Sequence, residues 1–158
     1  MNLSKNFLPK KIFKTLRDGV MSSYFPWYFN DGIIKAKDKY FQFTFSFIEK
    51  GKPVCWGDWY NIMVPVLEKI KHNKIIKVKS NLLTKTDNII EHDFHIDQAK
   101  GTTGILYLNN CNGYTKFKNG KKIMSEENTY VEFDSSTPHA GSSCTDELRR
   151  VVINFNYQ

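Results

Sequence analysis

The sequence predicts a mainly β protein with N-terminal helices (α+β): a jelly roll, or double-stranded β-helix, supported by two or more helices. Three observations carry that expectation. Apolar residues at helical spacing occur only before residue 72. From residue 74 onward the chain reads as short alternating segments between turn residues, the pattern of an antiparallel sandwich or barrel. Aromatics reach 15%, with 12 Phe and 8 Tyr, which supplies the bulky apolar surface a two-layer core needs.

Taken in order, residues 9–20 place Ile12, Phe13, Leu16 and Val20 at helical spacing, with Pro9 in the first turn and Asp18-Gly19 as the stop. Residues 24–29 form an aromatic cluster broken by Pro26, and Asn30-Asp31-Gly32 marks a turn. Phe41, Phe43, Phe45 and Phe47 alternate with Gln42, Thr44 and Ser46, so 41–47 reads as a half-buried strand with its phenylalanine face on the core. A second helix is predicted over 58–71, with Ile62, Met63, Val66, Leu67 and Ile70 on one stripe; Pro65 within it removes a backbone donor. Strands are expected at 75–83, 94–97, 103–109, 114–117, 122–124, 129–133 and 150–157. Asn119-Gly120 predicts a type I′ hairpin turn, and Asn112-Gly113 a second turn.

The length of 158 residues fits one domain, 1–158, with 1–73 as a support region and 74–158 as the β-helix core. Usage of 41% hydrophobic and 25% charged residues excludes wholesale disorder. The net charge of +7 invites a nucleic-acid partner, but the cations are dispersed lysines apart from Arg17, Arg149 and Arg150. The lysine runs at 69–79 and 116–122 read as solvated faces. Three cysteines, Cys55, Cys111 and Cys144, show no C-x-x-C spacing, which excludes a zinc knuckle and a disulfide framework. Cys111 and Cys144 are expected on loops, without a metal role. No apolar run is long enough to span a membrane, and the first 17 residues lack a signal-peptide pattern, so a reduced, cytoplasmic setting is expected.

Chemistry is concentrated at the histidines. The chain has four: His72, His92, His95 and His139. In an extended segment, His95 and Asp97 of His95-Ile96-Asp97 point to the same side. His139 follows after enough strand and turn for an antiparallel roll to return alongside. Two imidazoles and one carboxylate on one face of a metal leave three positions open, which suits non-haem Fe(II). The last strand opens on Arg149-Arg150. A guanidinium grips a carboxylate through two parallel hydrogen bonds, and in a strand only one of the two arginines can face inward. His92 is expected on an exposed loop, since three residues from His95 it faces the other way, and His72 is a helix-end cation.

His95-x-Asp97, His139 and Arg150, in this order and spacing, resemble the 2-oxoglutarate and Fe(II)-dependent oxygenases, specifically the prolyl 4-hydroxylase-like branch. The resemblance spans residues 79–157 and includes Thr103-Gly104-Ile105-Leu106-Tyr107, Asn112-Gly113-Tyr114-Thr115-Lys116-Phe117 and the approach from Phe133 to His139. With Phe25-Pro26-Trp27-Tyr28 and the ending Asn154-Phe155-Asn156-Tyr157, the chain is similar to small stand-alone members encoded by bacteriophages, which places it in the host cytoplasm. The resemblance implies a jelly-roll enzyme with His95, Asp97 and His139 as iron ligands. It implies Arg150, in preference to Arg149, as the clamp on the distal carboxylate of 2-oxoglutarate, with Tyr107 donating a hydrogen bond to it and Asn81 and Thr103 lining the same pocket. The implied activity is hydroxylation of an unactivated C–H bond, on prolyl or another side chain of a peptide or protein, coupled to decarboxylation of 2-oxoglutarate to succinate and carbon dioxide, with ascorbate as reductant. The alternatives are the same chemistry on a nucleobase or small metabolite, a cupin-type metal enzyme that does not use 2-oxoglutarate, and a non-catalytic jelly-roll binding module. Substrate choice is expected to lie in residues 24–40 and 84–94.

Overall fold

The computed structural model describes residues 1–35 and 39–158. The elements run β1 (Asn2–Ser4), α1 (Lys10–Val20), β2 (Tyr28–Asn30), β3 (Gln42–Glu49), β4 (Lys52–Pro53), α2 (Asp58–Asn61), α3 (Val64–Lys69), β5 (Ile75–Thr84), β6 (Thr102–Tyr107), β7 (Cys111–Phe117), β8 (Lys122–Ser125), β9 (Thr129–Asp134), β10 (His139–Gly141) and β11 (Arg149–Tyr157). They form two antiparallel sheets. The major sheet has the order β1-β9-β6-β11-β5-β3-β2, with β4 paired to β3, and the minor sheet has the order β10-β7-β8. This is the expected jelly roll, with its helices packed outside the major sheet.

Side chains alternate across each strand, so the major sheet has two distinct faces. On the outer face Val151, Ile153 and Phe155 of β11 join Val78 and Leu82 of β5, Leu106 of β6, and Leu16, Val20, Met63 and Val66 of the helical segments in one buried cluster. On the inner face Ile105, Tyr107, Val131, Phe133 and Val152 meet Phe117 and Ile123 of the minor sheet. The inner apolar layer fills only part of the space between the sheets. A cavity of about 390 Å³ occupies the rest, lined on the β5 and β11 side by Lys77, Lys79, Asn81, Asn154 and Asn156.

Five local expectations are corrected. The helix expected over 58–71 is two short helices, α2 and α3, separated at Ile62-Met63; Pro65 sits in the first turn of α3, where its missing N–H is tolerated. Segment 94–97 is no strand; His95 makes an isolated antiparallel bridge to His139. Asn112-Gly113 lies inside β7, at a register shift between Cys111 and Tyr114, and forms no hairpin turn. Only Phe45 and Phe47 of the phenylalanine face are buried, whereas Phe41 is 46% exposed and packs on Phe29 and Phe43. The β7–β8 hairpin does turn at Asn119-Gly120, but only Gly120 has positive φ (84°). The Gly120 N–H donates to the Phe117 carbonyl and the Phe117 N–H to the Lys121 carbonyl, each at 2.9 Å, which is a type I turn closed by a left-handed glycine. Among the described residues, no helix is long and apolar enough to cross a membrane.

Candidate active site

The bridge between His95 and His139 sets the centre of the site. Each backbone N–H donates to the other's carbonyl at 3.0 Å, so the two imidazoles emerge side by side with ring centroids 4.5 Å apart. Asp97 is fixed two residues on, its N–H donating to the Ser135 carbonyl at 3.1 Å. Its Oδ1 lies 3.5 Å from His95 Nε2 and 3.9 Å from His139 Nε2. Those separations exceed hydrogen-bond length. Donors bound in cis to one divalent ion at about 2.1 Å stand roughly 3 Å apart, and the three residues' donor atoms all lie within 4.8 Å of one another, so the group could hold a single ion.

The groups behind the triad fix its orientation. Asp97 Oδ2 accepts hydrogen bonds from Thr103 Oγ1 at 2.7 Å and Asn156 Nδ2 at 3.0 Å. His139 Nδ1 is 3.0 Å from the Thr137 carbonyl, which assigns the proton to Nδ1 and turns Nε2 toward Asp97. Burial by itself would raise the Asp97 carboxyl, but the neighbouring His95 and His139 and the bonds from Thr103 and Asn156 hold it well below the ordinary carboxylate range. Burial lowers the His139 imidazole, against the pull of Asp97, and so favours the neutral ligating form. Thr103 therefore reaches the cavity only through Asp97, and is not among the groups that line it.

Arg150 occupies the opposite end of the cleft. It is 3% exposed. Nη1 donates to the Ser142 carbonyl at 3.4 Å and Nη2 to Thr115 Oγ1 at 3.2 Å, while Nε has no hydrogen-bond partner. Among the described residues no carboxylate pairs with it, and burial pushes its pKa down. Tyr107 lies beneath, its ring centroid 5.6 Å from the guanidinium carbon, and its Oη donates to Thr115 Oγ1 at 2.9 Å. Tyr107 is thus packed under the arginine, not lining the cavity. Gly113 makes the space: a Cβ there would stand 2.6 Å from both Arg150 Cδ and the Ser143 carbonyl. Arg149 faces the other way, with Nη2 donating to the Met21 carbonyl at 2.8 Å.

Asn81 lines the cavity as expected by its position on β5. Other placements depart from expectation. His92 is buried, lines the cavity and packs edge-on to Tyr40 at 5.2 Å, contrary to an exposed loop position. Lys116 and Lys122 are not a free solvated face: both pair with Glu91, which also accepts from Tyr114 Oη at 2.6 Å. These contacts, Lys116 first, push the Glu91 carboxyl down to about 2. Cys111 lies on β7 and Cys144 beside it; their sulfurs and an Asp146 carboxylate oxygen fall within 4.8 Å of one another, and burial pushes the Cys144 thiol up to about 11. Thr115 and Gly113 hold and admit Arg150, and Asn156 holds Asp97; spacing alone gave no sign of these contacts. Of the residues 24–40 expected to shape substrate choice, 36–38 lie outside the described residues.

No protein-family model and no curated protein matches the chain by sequence. Solved structures do. A prolyl hydroxylase from Trichoplax adhaerens, in complex with a hypoxia inducible factor oxygen degradation domain peptide fragment, matches with a TM-score of 0.69 at 15% identity, over 99% of this chain and 82% of that one. A Pseudomonas putida prolyl-4-hydroxylase matches at 0.65 and 11% identity, over 99% and 91%. The viral collagen prolyl hydroxylase of Paramecium Bursaria Chlorella virus-1 matches at 0.57 and 14% identity, over 98% and 87%. The chain has the prolyl hydroxylase fold. At these identities the likeness establishes the architecture, and the chemistry must be argued from the cleft itself.

Proposed function

We propose that the protein is an Fe(II)- and 2-oxoglutarate-dependent oxygenase that hydroxylates an unactivated C–H bond, with a prolyl or other side chain of a peptide or protein as substrate. The observation that carries this reading is a buried guanidinium without an acidic partner among the described residues, facing the same cavity as a His-Asp-His donor set. A buried charge left unpaired is costly, so the cleft is built to receive an anion. A planar fork selects a carboxylate, and a dicarboxylic acid gives one carboxylate to Arg150 while leaving the other end free for a metal.

The donor set fits the ion. Two imidazoles and one carboxylate leave positions open on one face, as oxygen-activating iron requires. His95, Asp97 and His139 would hold Fe(II), which, with 2-oxoglutarate and dioxygen, supplies the oxidising power for hydroxylation. The chain's own residues do the rest. Thr103 and Asn156 keep Asp97 ionised and aimed. The Thr137 carbonyl keeps the proton of His139 on Nδ1. Thr115 and Tyr107 hold the Arg150 side chain extended toward the cavity. A space of about 390 Å³ accommodates a small dicarboxylate and one inserted side chain. The peptide found with the Trichoplax neighbour supports a peptide substrate.

The test is titration calorimetry without oxygen, followed by succinate formation on a panel of proline-containing peptides with Fe(II) and ascorbate. We expect binding of 2-oxoglutarate that depends on the metal, and a mass gain of one oxygen on a peptide. Absence of any metal-dependent 2-oxoglutarate binding removes the reading.

A further inference from the structure

The cavity holds a second cation that the 2-oxoglutarate reading leaves unused. Lys79 belongs to a lysine run that looks solvated in the sequence, yet it stands on the inner face of β5, is half-buried and lines the cavity. Its neighbour in the lining, Lys77, is paired with Glu49 at 3.6 Å. Lys79 has no hydrogen bond or ion pair from its ammonium among the described residues, although Glu49 and Asp97 act on it from a distance. Burial pushes its pKa down, and the like charge of Lys77 adds to that effect.

Position separates Lys79 from the co-substrate clamp. Across the β5–β11 pair, Arg150 stands opposite Leu83 and Lys79 opposite Asn154. The two rungs are four residues apart, about 13 Å along the strand. A carboxylate seated on Arg150 is therefore out of reach of Lys79, whose rung stands between Arg150 and the Asn156 that supports Asp97. Directly across from Lys79, Asn154 Oδ1 is buried with no hydrogen-bond partner among the described residues. A donor-only ammonium and an acceptor-only carbonyl, both unmet and adjacent, complement a ligand that presents an anionic acceptor next to an N–H.

We propose that the substrate carries a carboxylate seated on Lys79, with an adjacent N–H donated to Asn154 Oδ1, so that the enzyme selects acidic peptides. This deepens the oxygenase reading above and rests on it for the nature of the reaction.

The experiment compares three probes by calorimetry on the full chain: acetyl-Glu-Pro-Glu-amide, acetyl-Gln-Pro-Gln-amide and N-acetylglutamate. Each is titrated with and without Fe(II) and 2-oxoglutarate under nitrogen, into the wild type and Lys79→Met. The acidic peptide is expected to bind wild type at least about tenfold more tightly than its amide counterpart. Lys79→Met should abolish that preference, keep 2-oxoglutarate affinity and not lower the unfolding midpoint, because it removes a half-buried unpaired charge. Equal binding of N-acetylglutamate and the acidic peptide keeps the carboxylate and overturns the peptide. A preference that survives Lys79→Met, or no preference in wild type, overturns the proposal. So does a loss of 2-oxoglutarate affinity in Lys79→Met, which would assign the lysine to the co-substrate. Failure of wild type to bind 2-oxoglutarate sinks the oxygenase reading alone, since the carboxylate preference is also read without metal.

Discussion

On the outer side of β11, Val151, Ile153, Phe155 and Tyr157 are each at most 3% exposed and share one apolar cluster with the helices. On the inner side of the same strand stand Arg150, Val152, Asn154 and Asn156, which line the cavity. Apart from the half-buried Asn154 both sets are buried, but they are satisfied differently. The outer set needs only to be removed from water. Among the described residues the inner set's guanidinium meets no acid and its Asn154 amide oxygen no donor, so its demands are met only in part by them. One strand thus carries stability on one side and an unfilled polar requirement on the other, and substitutions on the two sides should fail in different assays.

The largest effect is expected at the triad. Asp97→Ala should weaken Fe(II) binding by at least about 100-fold in equilibrium dialysis, with the circular dichroism spectrum retained. Phe47→Ala, on the outer face, should do the reverse: it should cost about 3–5 kcal/mol in denaturant unfolding while the folded fraction keeps its metal affinity. If Phe47→Ala altered Fe(II) affinity at low denaturant, the two faces would not be independent. Arg150→Ala should reduce 2-oxoglutarate affinity about 100-fold and leave Fe(II) binding unchanged. Asn156→Ala should lower Fe(II) affinity about tenfold by releasing Asp97, with a smaller change in unfolding. The smallest effect is at Glu91, on the rim. Its carboxyl is held near 2 in the folded protein, against about 4.3 in an unfolded chain. Its contribution is therefore complete above roughly pH 5 and lost as the pH falls toward 2. Glu91→Gln should flatten that part of the stability-against-pH curve by no more than about 1 kcal/mol, because the cluster is largely exposed.

The alternation in 150–157 made the inner and outer sets of β11 legible from sequence, and the turn at Asn119-Gly120 located the β7–β8 hairpin. The iron-ligand candidates and Arg150 were legible because histidine and arginine are scarce in this chain and the His95-x-Asp97 spacing is chemically distinctive. Lys79 was not. Period-2 alternation says which residues share a face, never whether that face meets water or a cleft, and lysine in a run reads as solvated by default. Thr115, Gly113 and Asn156 were hidden for a related reason. Their importance lies in what crosses from another strand: Arg150 Cδ against the Gly113 backbone, Asp97 against Asn156. The split of 58–71 into α2 and α3 followed from Pro65, whose effect the apolar stripe obscured.

The backbone bridge between His95 and His139 has a thermodynamic consequence. Two N–H···O=C bonds bring the first and third ligand positions together without help from an ion. The entropy of closing that long loop is met by the backbone, so on the proposed function metal uptake would be a loading step on an already assembled protein, unlike small metal-nucleated domains that unfold under chelation. Treatment with a chelator should therefore leave the near-ultraviolet circular dichroism intact, and the stripped chain should regain the metal on mixing, without passing through a refolding phase.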